Sequence, residues 1–329
     1  MKRILWITFV VLIAILLGVG YLVWSTFIQV PTPSNSTPAA VESGYILLNL
    51  NPVGTSSALY IFNTKTKVLA RSSIQSFTPS ISMDGRSVVG VADLKGTHGG
   101  IYQYTIQNKS LRLLARSHDT LPRLPQISLN NDQVVFNEST ATTSTSAAFF
   151  TPSGWNIYLA STSSGARLIA HGMYPHWSPD GSTILYLADD GIRMYNLSSS
   201  TNALVWPIQG GKASARMMFT VSRDGTQIAW TNPLYSTITL AHIDSWSPFR
   251  MSTIYSMTDV FAFWPIFSPS GNQLAFEQVD WTTNPIQNQQ PTNARLTIFD
   301  IASHHRSVVT SLSSFDQMAL FVTGWADNL

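Results

Sequence analysis

Short stretches of alternating apolar and polar residues run along most of the chain, and turn-forming residues separate them. Alternation with a period of two predicts β-strands. One pattern recurs in a fixed order: an apolar residue, a serine, a turn pair and an apolar triplet such as "ILY". The serine of this pattern occurs five times, 44 to 50 residues apart, at Ser82, Ser128, Ser178, Ser222 and Ser268. This spacing indicates a repeat protein.

Each copy of the pattern predicts a β-hairpin. Three positions before the serine stand Pro79, Pro125, Pro175, Phe219 and Pro265. After the serine come the turn pairs Asp84-Gly85, Asn130-Asn131, Asp180-Gly181, Asp224-Gly225 and Ser270-Gly271. Such pairs supply the positive-φ positions of tight turns, and their side chains accept hydrogen bonds from turn amides. We therefore interpret Asp84, Asp180 and Asp224 as structural turn residues rather than catalytic ones.

A third strand and a short fourth strand follow each hairpin. The third strands alternate clearly, as in "IYQYTI" and "IRMYNL", and the fourth include "LRLLA" and "ARLIA". Four strands that repeat every 44 to 50 residues predict the blades of a β-propeller. The fold class is therefore all-β.

The two ends of the chain complete a sixth blade. Trp325 occupies the aromatic position that Trp177 holds in its own repeat, but the chain stops at the following turn. The missing second strand is "YILLNL", residues 45–50, near the other end of the propeller sequence. We therefore predict a six-bladed propeller over residues 44–329, closed by pairing of its N- and C-terminal strands.

The first 43 residues predict a membrane attachment. Residues 1–3 include Lys2 and Arg3, and residues 4–24 carry no charge. A helix of that length spans a hydrocarbon core of about 30 Å, and flanking basic residues stay in the cytoplasm. Residues 25–43 are rich in Pro, Ser and Thr, as in an extended linker. We expect a single-pass signal anchor in the cell membrane, with the propeller on the extracytoplasmic side.

Composition narrows the functional classes. The formal charge is +2 and only 11% of residues are charged, which argues against a nucleic-acid partner. The absence of cysteine excludes disulfides, thiol catalysis and cysteine-based zinc sites. The sequence contains no P-loop, no dinucleotide-binding glycine run and no hydrolase motif. No cofactor and no catalytic residue are predicted.

The unit "HWSPDGSTILY", residues 176–186, is similar to the signature repeat of the TolB-like propeller family. The resemblance covers residues 41–329 and implies a propeller that works outside the cytoplasm. TolB itself carries a separate N-terminal α/β domain, which the anchor and linker replace here. The particular partners of TolB therefore do not carry over.

Candidate binding residues lie on one predicted face. Loops from a fourth strand to the next first strand meet there, as do two long second-to-third loops at residues 137–154 and 277–293. Insertions confined to one face of a repeat array usually mark the binding face. The candidates are His171, Tyr174, His176, Arg216, Phe219, Phe263, Trp264, Asp280 and Trp281. We expect a module that binds a protein, a peptide or a cell-envelope glycan.

A propeller enzyme is the alternative. TolB-like propellers of some pectin-fragment lyases hold a metal with histidines from several blades. That resemblance makes His171, His176 and His118 candidate metal ligands in a carbohydrate lyase or hydrolase. The competing interpretation is that these histidines are polar loop residues, since no further ligands occupy matching positions.

Overall fold

The computed structural model describes residues 40–51, 58–72, 77–82, 84–92, 100–116, 123–130, 132–140, 151–161, 165–208, 217–232, 234, 236–258, 260–280, 293–311 and 319–327. They belong to one unit, Ala40–Leu329. Their strands form six antiparallel sheets of four strands each. The all-β six-bladed propeller predicted from the repeat is thereby confirmed.

Blades 1 to 5 follow the chain order of their strands. Blade 1 contains β4 (Phe77–Ile81), β5 (Ser87–Ala92), β6 (Gly100–Thr105) and β7 (Ser110–Arg116). Blade 2 contains β8 (Arg123–Ile127), β9 (Gln133–Ser139), β10 (Trp155–Ser161) and β11 (Arg167–His171). Blade 3 contains β12 (Met173–Trp177), β13 (Thr183–Ala188), β14 (Gly191–Asn196) and β15 (Thr201–Pro207). Blade 4 contains β16 (Phe219–Val221), β17 (Gln227–Thr231), β18 (Thr237–Trp246) and β19 (Phe249–Thr258). Blade 5 contains β20 (Ala262–Phe267), β21 (Gln273–Asp280), β22 (Asn293–Asp300) and β23 (His305–Ser311). A 3₁₀ turn, Pro152–Gly154, precedes β10.

Blade 6 joins the two ends of the propeller, as the sequence predicted. Its strands are β24 (Ala319–Ala326), β1 (Tyr45–Asn51), β2 (Ala58–Asn63) and β3 (Leu69–Arg71), in that order. β1 pairs with β24 so that Ile46 lies opposite Trp325 and Leu48 opposite Val322. These four side chains are buried and pack with blade 5.

Adjacent blades are held together by apolar side chains from their facing sheets. Between blades 2 and 3, for example, Val135 and Ile157 pack against Trp177 and Ile184. All four are at most 3% exposed. Because both faces of every blade are covered in this way, the second strands read as nearly continuous apolar runs.

The serine of each repeat organises the turn after the first strand. In blade 3, Ser178 Oγ donates to Asp180 Oδ1 at 2.6 Å and accepts from Thr183 N at 3.0 Å. Asp180 Oδ1 also accepts from Ser182 N at 3.0 Å. The hydrogen bond from Ser178, and then that from Ser182, lowers the pKa of the Asp180 carboxyl. The turns at Asp84 and Asp224 have the same bonds.

One detail of the predicted turn was wrong. Only its glycine has a positive φ, +69° at Gly181, while the aspartates do not. The loop spans four residues, closed by a hydrogen bond from Gly181 N to Ser178 O at 2.9 Å. The aspartate therefore acts through its carboxylate, and only the glycine is required by backbone conformation.

Blade 5 has Ser270 where blades 1, 3 and 4 have the aspartate, and a carboxylate comes from elsewhere. Glu42 Oε1 accepts from Ser270 N at 3.1 Å, and Glu42 Oε2 accepts from Ser270 Oγ at 2.5 Å. Glu42 N donates to Gln273 Oε1 at 2.8 Å, and Gln273 Nε2 donates to Ala40 O at 3.0 Å. Hydrogen bonds of the residues before β1 thus connect blade 6 to blade 5. They add to the closure that the pairing of β1 with β24 provides.

The predicted stub, anchor and first part of the linker (residues 1–3, 4–24 and 25–39) lie outside the described residues. Within the described ranges, no helix has the length and apolarity needed to cross a bilayer.

Truncation of β24 tests the closure. Deletion of residues 322–329 removes the buried Val322 and Trp325 and exposes the edge of β1. Loss of a buried tryptophan alone costs about 3–5 kcal/mol. We therefore expect the melting temperature, measured by circular dichroism, to fall by about 10 °C or more. Deletion of residues 328–329 only, which leaves β24 intact, is the control. An equal melting temperature for both truncations would contradict closure through β24.

A rescue experiment tests the role of Glu42. Glu42→Ala should lower the free energy of unfolding by about 1–3 kcal/mol, because Ser270 loses two bonds to a carboxylate. Adding Ser270→Asp recreates the turn of blades 1, 3 and 4 and should restore most of the loss. Ser270→Asp alone should destabilise, since two carboxylates would then meet. Failure of the double variant to recover would show that Glu42 does not replace the turn aspartate.

Candidate functional site

The six first strands surround a central channel. Blades 1 to 3 contribute Ser80, Gln126 and His176, and the other blades contribute Thr220, Ile266 and Thr323. These six residues line two cavities, one of about 90 Å³ and one of about 60 Å³. The middle of the channel is therefore largely polar, although the blades around it are apolar.

The first strands of three blades share an uncommon backbone conformation near one end of the channel, here called the mouth. Leu124, Tyr174 and Trp264 have φ values of +50°, +54° and +53°, and each directly precedes a proline. The strand register shifts at each of these sites, as in a β-bulge. A left-handed non-glycine residue costs about 1–3 kcal/mol, and such residues cluster at functional sites.

An aromatic contact crosses the mouth. The ring of Tyr174 in blade 3 meets the ring of Trp264 in blade 5 edge-on, with centroids 6.1 Å apart at 69°. Between them lies Met218 of blade 4, whose Sδ accepts from Trp264 N at 3.2 Å. Tyr174 is 6% exposed, whereas Trp264 is half-buried. Side chains from three successive blades therefore cover the channel at this end.

A cation lies beside this aromatic pair. The guanidinium carbon of Arg123 is 5.7 Å from the ring centroid of Trp155. Desolvation lowers the pKa of Arg123, and the nearby Tyr174 opposes this effect. Surrounding protein atoms crowd the guanidinium, yet the side chain as a whole still reaches solvent. A ligand at the mouth can therefore contact this side chain.

His176 lies in the channel below the mouth. Its Nε2 is 3.1 Å from Phe219 O, and the two rings are 4.9 Å apart. Burial lowers the pKa of His176 to about 4, although the hydrogen bond to Phe219 opposes the shift. The imidazole is therefore neutral at neutral pH, with its proton on the nitrogen that faces the carbonyl.

Arg223 crosses the opposite end of the channel, at the face formed by the serine turns. This residue of blade 4 places Nη1 3.3 Å from Oδ2 of Asp327, which follows β24 of blade 6. A Cβ atom at Gly85 in blade 1 would lie only 2.1 Å from Arg223 Nη2. The guanidinium thus reaches across the ring, and the glycine of the blade 1 turn leaves space for it.

Five of the predicted binding residues lie in first strands, not in loops. Tyr174 and His176 are in β12, Phe219 is in β16, and Phe263 and Trp264 are in β20. The expectation of loop positions was wrong. In blades 3 and 5 the bulge interrupts the alternation, so β12 and β20 begin earlier than the pattern indicates. In blade 4, Phe219 is the first residue of β16, which has no bulge. The five residues nevertheless lie around the mouth and channel.

Of the remaining predicted residues, the structure describes two. His171 ends β11, the outermost strand of blade 2, and its Nδ1 is 2.8 Å from Asn156 Oδ1. Asp280 ends β21 rather than lying in a loop. Arg216, Trp281 and His118 lie outside the described residues. Within the described ranges, no three histidine, aspartate or glutamate side chains are grouped to hold a metal ion.

Sequence reasoning missed Arg123 and Trp155. Arg123 could have been found from the repeat. It stands two residues before Pro125, the same position that the candidate Phe263 has before Pro265. Trp155 begins β10 after a long loop, and only the folded structure places it against Arg123.

Comparison with known proteins supports the fold. No family model and no curated protein matches the sequence. Among solved structures, TolB from Acinetobacter baumannii has a TM-score of 0.60 at 17% identity, covering 87% of this chain and 67% of that one. Oligogalacturonate lyase in complex with manganese scores 0.52 at 12% identity, covering 77% and 70%. A nidogen/laminin complex contains a chain that scores 0.54 at 10% identity, covering 87% and 99%.

At these identities the likeness shows the fold alone. The predicted similarity to the TolB propeller is confirmed in structure.

The pH dependence of stability tests the environment of His176. Its pKa is about 4 in the folded chain and about 6.5 in the unfolded chain, so unfolding takes up a proton between these values. Stability should be fully present above pH 6.5 and fall as the pH drops toward 4. Thermal unfolding between pH 7 and 4.5 measures this loss.

In His176→Gln, unfolding should take up about one proton fewer, so the stability should depend less on pH in this range. His171→Gln is the matched control. It keeps the channel histidine, so its stability should still fall as the pH drops toward 4. An unchanged slope in His176→Gln would contradict a buried neutral imidazole.

Proposed function

We propose that this chain is a membrane-anchored, extracytoplasmic binding module that engages a protein or peptide at the channel mouth. The observation that carries the proposal is the group of Tyr174, Trp264 and Arg123 at one end of the propeller. Tryptophan, tyrosine and arginine dominate the binding energy of protein interfaces. Three residues at the mouth have left-handed backbones, and two of them, Tyr174 and Trp264, belong to this group.

The position of Ala40 distinguishes the two ends of the propeller. Ala40 O accepts a hydrogen bond from Gln273, which begins β21 directly after the serine turn of blade 5. Trp264 lies toward the other end of that blade, before the first strand reaches this turn. The first residues that the structure describes therefore lie at the turn face, away from the mouth.

Capture of partners tests the role of the mouth. The full-length protein would be crosslinked in its native membrane, purified and compared with Trp264→Ala and Leu204→Ala. Leu204 is an exposed residue on the outermost strand of blade 3 and serves as the control. We expect Trp264→Ala to reduce the captured partner about tenfold, which corresponds to loss of about 1.4 kcal/mol, and Leu204→Ala to leave it unchanged.

Two outcomes would contradict the proposal. Equal capture by wild type and Trp264→Ala would show that the mouth is not the binding surface. Metal bound at one equivalent and lost in His176→Ala would favour a metal-dependent propeller enzyme instead. The metal content of the purified full chain measures the second outcome directly.

A further inference from the structure

One corner of the mouth places an arginine opposite a buried amide. Arg123 in β8 lies directly opposite Asn137 in β9, and Ile157 in β10 lies beside Asn137. Opposite residues of an antiparallel pair project from the same face. That face packs against blade 3, where Tyr174 lies close enough to affect the pKa of Arg123.

The side chain of Asn137 is the uncommon member of this corner. Asn137 is completely buried, and neither its Oδ1 nor its Nδ2 has a hydrogen-bond partner within the part of the chain that the structure describes. A buried amide without partners costs about 1–3 kcal/mol. Buried polar atoms are otherwise nearly always paired, and exceptions point to a water or a ligand.

The fold does not require a polar residue at this position. In blade 3 the equivalent residue is Leu187, which lies opposite Met173 and is fully buried. In blade 4 it is Thr231, whose Oγ1 accepts from Met218 N at 3.0 Å and is thereby satisfied. Blade 2 alone among these three combines an arginine on the first strand with an unsatisfied amide opposite it.

The chemistry of the corner matches one end of a peptide. A guanidinium binds carboxylates through charge-assisted hydrogen bonds, and the ring of Trp155 holds it from one side. An amide offers one acceptor and two donors, which suit the N–H and the carboxylate of a terminal residue. The cavity near the corner is lined by Leu124, Met218 and Trp264, and also by polar residues that include Gln126 and Thr220.

We propose that this corner binds the free C-terminal carboxylate of a peptide or protein, with Arg123 on the carboxylate and Asn137 on the last peptide unit. The proposal rests on the binding function proposed for the mouth and names the group that is recognised. Because Asn137 is covered in the unliganded chain, binding includes a movement of the Arg123 side chain that uncovers the amide. The amide of Asn137 favours a peptide over an acidic sugar, because its one acceptor and two donors match the N–H and the carboxylate of a terminal residue.

Synthetic peptide pools test the proposal on the full-length purified chain. One pool carries four random C-terminal residues and a free carboxylate, and a second pool is identical but C-terminally amidated. We expect the free-acid pool to be retained at least about tenfold more than the amide pool, as expected for a charge-assisted contact. Arg123→Gln should abolish this preference, and Arg71→Gln, an exposed arginine of blade 6, should keep it.

Asn137→Leu separates a binding role from a structural one. It places the residue of blade 3 in blade 2, so thermal stability should rise while retention of the free-acid pool falls. A decrease in stability without loss of retention would show that the amide serves the fold and would overturn its assignment to the ligand.

Other outcomes also overturn the proposal. Equal retention of the two pools, or of neither, contradicts carboxylate recognition, as does preferential retention of a uronic acid oligosaccharide. If both pools are retained equally and both are lost in Trp264→Ala, the mouth binds peptides but does not read the terminus. Failure of the mouth itself would appear separately, as partner capture that Trp264→Ala does not affect.

Discussion

The pairing of β24 with β1 is the constraint on which the rest of the structure depends. A ring of six sheets buries the faces of every blade only if the first and last blades are joined, and here one sheet contains both β1 and β24. Without that pairing, β1 would present an unpaired edge of buried apolar residues. Because the ring is closed, the six first strands face one another across the channel. The residues that line the channel therefore depend on this pairing for their positions.

Closure brings six first strands together, and the bulges show how the chain accommodates them. At Leu124, Tyr174 and Trp264 a left-handed residue before a proline shifts the register of the strand. Blade 4 has Phe219 in the place of the proline, and its first strand pairs without a shift. The bulge is therefore not required by the ring in every blade. At Leu124, Tyr174 and Trp264 the bulge places a large side chain at the mouth.

The repeat made the architecture predictable from sequence, because its strongest signal is local. The contacts from Ser178 to Asp180 and Gly181 lie within four residues, and their spacing in the sequence reports the turn directly. Blade number, strand order and closure all follow from counting these turns. The bulges obscured the start of the first strands, since a left-handed residue breaks the alternation on which strand prediction depends.

The parts that could not be predicted are those made by residues distant in sequence. Glu42 replaces a turn carboxylate 228 positions away in blade 5, and Arg123 meets Trp155 across a long loop. No local pattern marks either pair. The same holds for Asn137, because nothing in its local sequence indicates that its side chain is completely buried.

Unsatisfied polar atoms and left-handed backbones occur at both ends of the propeller, so neither feature alone marks a binding site. Toward the turn face, Thr183 and Trp325 each have a buried polar atom without a partner within the described residues. Four left-handed residues also lie in turns of that face: Lys67, Lys109, Ser200 and His304. The mouth differs in the combination that it offers. There the unsatisfied amide of Asn137 lies opposite Arg123, and the left-handed Tyr174 and Trp264 are aromatic. An amide with unused hydrogen-bonding capacity beside a cation and aromatic rings is the combination that we expect of a binding site.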